Sequence, residues 1–277
     1  MFKEFTDDKK IQAELLNIMI EIDRVCKILD IKYTLSGGSL LGAVRHKGFI
    51  PWDDDMDIAM TRDNYEKFLK YAQRELKDNY FLQTYETDYN SPCNFAKVLN
   101  TNIPVIEKDK VHLNIKKGLF VDIFPIDKTF NSYWKRFINV LLIRIAKTTK
   151  YSCNLTNILK NSENNLKRMG KLLLFPIAYC LGNNKLNCIE TYVRNLANSN
   201  ENTITFADKD QAIFNFKNNE MNWEIFCQYS FISFEGYEFM CISDYDTYLQ
   251  KLYGDYTLLP PIEEQRPHHG LLINDYL

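Results

Sequence analysis

Four aspartates, Asp53, Asp54, Asp55 and Asp57, fall within five positions of the stretch LSGGSLLGAVRHKGFIPWDDDMDIAM, residues 35–60. At an effective dielectric of about 20, two carboxylates roughly 5 Å apart repel by about 3 kcal/mol, and in bulk water by less than about 1 kcal/mol. Such a cluster is either a solvated loop or a site built around a cation. An EF-hand is excluded, because that loop needs Gly at its sixth position and Glu at its twelfth, where this chain has Ile58 and Asn64. A P-loop is excluded as well, since GGSLLG is followed by Ala43 and Val44 and not by Lys and a hydroxyl residue. Adjacent Gly37 and Gly38 also fail the spaced glycines of a dinucleotide fingerprint.

What remains is a strand, Gly-Gly-Ser, a short helix, a loop, and Asp-x-Asp on a second strand. Alternate strand residues share a face, so Asp55 and Asp57 converge on one or two Mg²⁺ ions while Met56 and Ile58 turn to the core. Glycines at 37 and 38 let the backbone approach a ligand closely, and the helix behind them offers its positive end to a phosphate. Arg45 and Lys47 add positive charge. These are the parts of a metal-assisted phosphoryl-transfer site. Asp53 is a further candidate ligand, although Asp53 and Asp54 read equally well as a solvated rim. A third carboxylate often completes such a site. GLFVDIFPID supplies Asp122 between Val121 and Ile123, where an aspartate is costly to bury unless paired or metal-bound. Asp122 is therefore the expected third ligand or proton acceptor, and Asp127, beyond Pro125, reads as a helix cap.

The elements that must position these residues follow from periodicity. Apolar residues at 11, 15, 18, 22, 25 and 29 predict a helix over residues 9–29. IKYTLS reads as a short strand, Ser39 as the N-cap of the helix SLLGAVRH, and DMDIAM as a strand of alternating acidic and apolar residues. Thr61 caps a helix over RDNYEKFLKYAQREL, and strands follow at YFLQTY, CNFAKVL and GLFVDIF. This order predicts an α+β (α/β) chain with one mixed sheet. Over residues 128–171 there are ten Lys and Arg against one acid, Glu163, with the apolar pieces FINVLLIRIA and LLLFPIAYCLG at either end. This stretch is either a helical subdomain with a solvated basic face or a surface for anionic membrane. The expected division is a catalytic core over 1–127, a basic helical subdomain over 128–200, and C-terminal strands, helix and tail over 201–277 that complete the core and the site's rim.

Composition narrows the function. A net charge of −2 over 277 residues gives no nucleic-acid signature. Seven scattered cysteines with no CxxC pair argue against a disulfide frame or zinc site. The N-terminus is charged and lacks a signal-peptide h-region, and no apolar run is long enough to span a bilayer, so a cytoplasmic protein is expected. Aromatics at 14% fill the core on the plain reading, and Trp52, Tyr85 and Tyr89 could also cage a quaternary ammonium.

The run GGSLLGAVRHKGFIPWDDDMDIAM, continued by FVDIFPID, LQKLYGDY and RPHH, resembles the signature of the LicD family, related to fukutin and fukutin-related protein. The resemblance implies a nucleotidyltransferase-like mixed-sheet core with flanking helices and a helical insertion. It implies transfer of a phospho-alcohol from a CDP-activated donor to a hydroxyl of a glycan or lipid-linked glycan, releasing CMP. Phosphocholine is the best-known cargo of the family, and relatives carry phosphoribitol or phosphoglycerol. By the same resemblance Gly37, Gly38 and Ser39 hold the donor phosphates, and Asp55, Asp57 and Asp122 bind Mg²⁺, with Mn²⁺ as a substitute. Lys97 is matched to a diphosphate contact, with a surface lysine as the plain alternative, and His268 and His269 to a flap over the site. The rival activities are nucleotidyl transfer with release of diphosphate, and a non-catalytic scaffold for glycan assembly.

Overall fold

The computed structural model describes residues 2–4, 8–111, 113–151, 165–199, 201–206, 220–265 and 270–274. In chain order its elements are β1 (Phe2–Glu4), α1 (Asp8–Ile28), β2 (Thr34–Leu35), α2 (Gly37–His46), β3 (Asp57–Thr61), α3 (Arg62–Glu75), β4 (Tyr80–Gln83), β5 (Ala96–Asn100), β6 (Val105–Glu107) and β7 (Leu119–Ile126). There follow β8 (Lys128–Thr129), α4 (Tyr133–Tyr151), α5 (Asn165–Asn195), β9 (Ile204–Phe206), β10 (Glu220–Asn222), β11 (Tyr229–Phe234), β12 (Tyr237–Ile242), α6 (Tyr245–Tyr253) and β13 (Leu271–Asn274). The class is α+β. The chain separates into two compact units, one of residues 1–83, 95–126 and 221–277, the other of residues 84–94 and 127–220.

A five-stranded sheet in the order β2-β3-β7-β5-β4 forms the centre of the first unit. β3 and β7 run parallel and the other pairs antiparallel, so the sheet is mixed. β7, with strands on both sides, reads as an almost unbroken apolar run, as a doubly covered strand does. Pro125 is tolerated there for a geometric reason. The Asp122 N–H points at Met56 O beside β3, so by alternation the nitrogen of residue 125 faces the β5 side, where pairing has already ended at Ile123. α1 packs on β5 and β7 with Ile11, Leu15, Ile18, Ile22 and Val25, the positions that the helical period picks out.

Glu21 lies on the same helix, is 2% exposed, and accepts from Arg24 Nη2 at 2.6 Å and from the Lys77 N–H at 3.0 Å. The hydrogen bond from Arg24 outweighs burial and holds its carboxyl down from 4.5 to about 2. A depressed carboxylate contributes stability above its unfolded value and loses it as pH falls toward the folded one. Each tenfold gain in acidity is worth about 1.4 kcal/mol, and the partly solvated Arg24 reduces the total, so Glu21→Gln is expected to cost about 2–3 kcal/mol at neutral pH. Urea unfolding should show that deficit shrinking between pH 4.5 and about 2, the window in which wild-type Glu21 is protonated.

β11 and β12 form a hairpin, closed by Glu235 and Gly236 at φ +50° and +79°, the two-residue turn with positive φ at both positions. Glu235 Oε1 accepts from the Phe49 N–H at 3.2 Å, so the hairpin tip holds the loop that leaves α2.

In the second unit α4 packs on α5, which is kinked at Gly182 (φ +72°). Fully buried Glu190 accepts from Lys150 at 3.0 Å, Arg194 at 2.7 Å and Asn94 at 2.7 Å. Burial pushes its carboxyl up, but Arg194 and Lys150 hold it below the usual range. Asp127 caps no helix. It is fully buried and accepts from Asn198 Nδ2 at 2.7 Å, because β8 intervenes before α4 begins at Tyr133. No helix among the described residues is long and apolar enough to cross a membrane.

Candidate active site

Strand register assembles the site. Asp57 of β3 is the cross-strand partner of Asp122 on β7, which is the partner of Lys97 on β5, which is the partner of Gln83 on β4. Cross-strand partners share a face, so these polar side chains form one row across the sheet. Met56, Ile58, Val121 and Ile123 face the other way and are completely buried. The acidic and apolar residues therefore divide between the two faces as the alternation in the sequence requires. β3 begins at Asp57, so Asp55 sits in the extended segment just before the strand.

Lys97 is not a surface lysine. Only 4% exposed, its ammonium lies 2.8 Å from Asp122 Oδ1 and 3.4 Å from Glu107 Oε2, and 3.4 Å from the centre of the Phe120 ring. Lys110 pairs with the same Glu107 oxygen. Burial pushes the Asp122 carboxyl up, and the positive charge of Lys97 opposes that shift. The result is a buried carboxylate whose charge is balanced by a fixed cation.

α2 begins at Gly37 and not at Ser39, with Ser36 as its N-cap. The Ser36 side chain caps nothing in its own helix. Its Oγ shares a hydrogen bond of 2.9 Å with Tyr248 Oη, and that phenol oxygen also accepts from the Gly37 N–H at 3.3 Å. Ser39 Oγ accepts the Asp57 N–H at 2.8 Å, so this hydroxyl fixes the start of β3. Gly37 has φ +52°, which an L side chain rarely adopts, and a Cβ on it would stand 3.5 Å from Asp57 Oδ2. A Cβ on Gly38 would lie 2.9 Å from Asp53 Oδ2, so any side chain there would displace that carboxylate. Asp53 and Asp57 thus lie against the first turn of a helix, where its positive end offsets their repulsion. Asp53 and Asp54 are 8% and 5% exposed, which removes the solvated-rim reading, and Gln12 Nε2 donates to the Asp53 carbonyl at 2.9 Å.

Tyr248 of α6 escapes a reading of the sequence, and Tyr253 enters it only within LQKLYGDY, with no role assigned. Besides Tyr248, Tyr253 lies beside the cluster, its phenol pushed up by burial, by Tyr248, and by the negative charge of Asp57, Asp53 and Asp55. Both belong to the YDTYLQKLY helix. Glu107 escapes it as well. No spacing links it to Lys97 or Asp122, and only the fold brings its carboxylate to Lys97.

Arg45 and Lys47 lie at the opposite end of α2 from the glycines. Arg45 Nη1 donates to the carbonyls of Tyr256 at 3.3 Å and Leu258 at 3.0 Å, and Lys47 is the exposed C-cap at φ +59°. Trp52 is half-buried in the loop before β3, and Tyr85 and Tyr89 belong to the second unit. His268 and His269 lie outside the described residues. Among the described residues no three His, Cys, Asp or Glu side chains converge closely enough to hold a metal. Asp122, the expected third ligand, has its Oδ1 2.8 Å from the Lys97 ammonium. A cation here would draw on the carboxylates of Asp55 and Asp57. That donor set fits Mg²⁺, which is commonly held by one or two carboxylates together with substrate phosphates and does not require a cage made by the protein alone.

Similarity to known proteins falls on the same residues. The family model described as LicD/FKTN/FKRP, nucleotidyltransferase domain, matches residues 30–148, the span that holds Gly37, Asp57, Lys97 and Asp122. The chain is 30% identical over 261 residues to the lipopolysaccharide cholinephosphotransferase LicD of Haemophilus influenzae, covering 93% of this chain and 94% of that protein. It is 29% identical over 126 residues to an uncharacterised protein of Rickettsia prowazekii, covering 46% of this chain and 44% of that one.

Proposed function

Because this chain belongs to the LicD family and is accordingly a transferase, we propose that it moves phosphocholine from CDP-choline to a hydroxyl of a cell-surface glycan precursor and releases CMP. The relative in Haemophilus influenzae, named for cholinephosphate transfer and lipopolysaccharide, supports the cargo and the acceptor class. The observation that carries the chemistry is the row Asp57–Asp122–Lys97 beside the glycine turn of α2.

In this reading the donor diphosphate lies at the N-terminal end of α2, whose first N–H groups and positive end attract phosphate. Asp55 and Asp57 would hold Mg²⁺, or Mn²⁺ in its place, which when bound would supply charge neutralisation at the diphosphate. The oxygen of the acceptor hydroxyl attacks the phosphorus that carries choline. Its new P–O bond forms as the bond to CMP breaks, and CMP departs with that electron pair. Asp122 takes the hydroxyl proton, a role suited to a carboxyl that burial has pushed up. Lys97 is a positioning residue, holding Asp122 in place and balancing its charge.

The test is the identity of the small product. With CDP-choline, Mg²⁺ and an acceptor glycan, CMP should accumulate in step with choline on the glycan. Transfer from CDP-glycerol or CDP-ribitol in preference to CDP-choline would replace the cargo. Diphosphate released from CTP, with the nucleotide left on the acceptor, would overturn the reaction class.

A further inference from the structure

The helices of the second unit carry their apolar residues on the outside. Along α4 the buried stripe is Arg136, Asn139, Val140, Ile143, Ala146, Thr149 and Lys150, four of the seven polar. Its exposed residues include Trp134, Phe137, Ile138, Leu141, Leu142 and Ile145, with Trp134 at 70% exposure. α5 repeats the pattern ahead of its kink. Between Met169 and Leu181 only Ala178 is buried, while Leu173 is 78% exposed and Ile177 and Tyr179 also face outward. An amphipathic helix of a water-soluble unit buries its apolar stripe. Single exposed leucines need no explanation, but a contiguous apolar surface marks an interaction site.

The charges on the same helices identify what covers that surface. Glu190, the one acidic residue of α4 and α5, is fully buried and paired. The charged side chains described at the surface are cationic: Lys135, Arg144 and Lys147 on α4, and Arg168, Lys171 and Lys185 on α5. A second copy of this chain would set these cations against their own kind. Tyr133, Trp134, Tyr179 and Tyr192 add exposed aromatic rings with polar edges, the residues that settle at the headgroup level of a bilayer. Neither helix is apolar enough to cross a membrane.

We propose that the outward faces of α4 and of α5 before Gly182 dock on an anionic lipid surface. Their apolar side chains enter the boundary between headgroups and acyl chains, and the lysines and arginines meet the lipid phosphates. This docking is independent of the transfer reaction, so it stands or falls apart from it.

Flotation of the whole chain with vesicles tests the proposal. Vesicles of phosphatidylcholine with about 30% phosphatidylglycerol should bind it about tenfold more tightly than phosphatidylcholine alone. The difference should collapse as salt rises from about 0.05 to about 0.5 M. Leu173→Asp with Ile177→Asp, and separately Lys135→Glu with Lys171→Glu, should each lower binding about tenfold with unchanged thermal unfolding. These side chains are exposed or half-exposed, so folding is not at stake. Equal binding to both vesicle types, or variants that bind like the wild type, would overturn the proposal. So would a dimer in sedimentation velocity that Leu173→Asp disperses while lipid binding is absent, because a second copy would then cover the face.

Discussion

Asp57→Asn is expected to lower phosphocholine transfer by about a thousandfold, the scale of losing one preorganised charge-stabilising group. Asp57 pairs in register with Asp122 and stands against the glycine turn, so its carboxylate faces both the proposed donor site and the proton acceptor. The substitution keeps the side chain's shape and removes one of the two carboxylates that stand against the adjacent glycines, Asp53 being the other, a repulsion of about 1–3 kcal/mol for a close pair. Thermal unfolding should therefore stay at or above the wild-type temperature while CMP release falls. Transfer within about tenfold of wild type would remove Asp57 from the reaction. A variant that lost both its fold and its activity would make Asp57 a structural residue.

Lys97→Met should cause a large loss of stability. Methionine fills a similar volume over Phe120, but it leaves Asp122 without the cation at 2.8 Å and takes from Glu107 one of its two lysines. Removing one partner from a buried pair costs about 3–5 kcal/mol. The pH dependence has a definite sign. Burial already holds the Asp122 carboxyl up, and losing the opposing charge of Lys97 raises it further. A carboxyl raised in the folded state is tolerated while protonated and destabilises as pH climbs through its folded value. The deficit of Lys97→Met should therefore be small in acid and grow toward neutral pH. Adding Asp122→Asn should recover part of it, and urea unfolding of the two single variants and the double variant measures the coupling.

Much of the site is legible in local sequence patterns. Alternation in DMDIAM and the apolar run around Asp122 place both Asp57 and Asp122 on strands and turn Met56 and Ile58 inward, because side-chain direction on a strand depends only on near neighbours. The adjacent glycines mark a close approach, and the structure shows that it is made by the carboxylates of Asp53 and Asp57. What escapes the sequence depends on distant pairing. Lys97 is singled out only by the family resemblance and otherwise passes for a surface residue, because its burial follows from β5 lying between β4 and β7, an order that no local pattern encodes. Ser39 resembles a cap because hydroxyl residues favour helix starts, yet its hydroxyl serves Asp57 and the helix begins two residues earlier. Tyr248 reaches Ser36 across 212 residues of sequence. Asp127 resembles a cap from its place after Pro125, but the strand β8 separates it from the next helix.

The central claim is that this site takes a CDP-alcohol, and calorimetric titration tests it without any acceptor. CDP-choline, CDP-glycerol, CDP-ribitol and CTP would be titrated in parallel, each with Mg²⁺ and with the metal chelated. CDP-choline is expected to bind in a Mg²⁺-dependent manner at least about tenfold tighter than CTP, a difference of about 1.4 kcal/mol. CTP binding as tightly as CDP-choline, or no binding by any of the four, would contradict the claim.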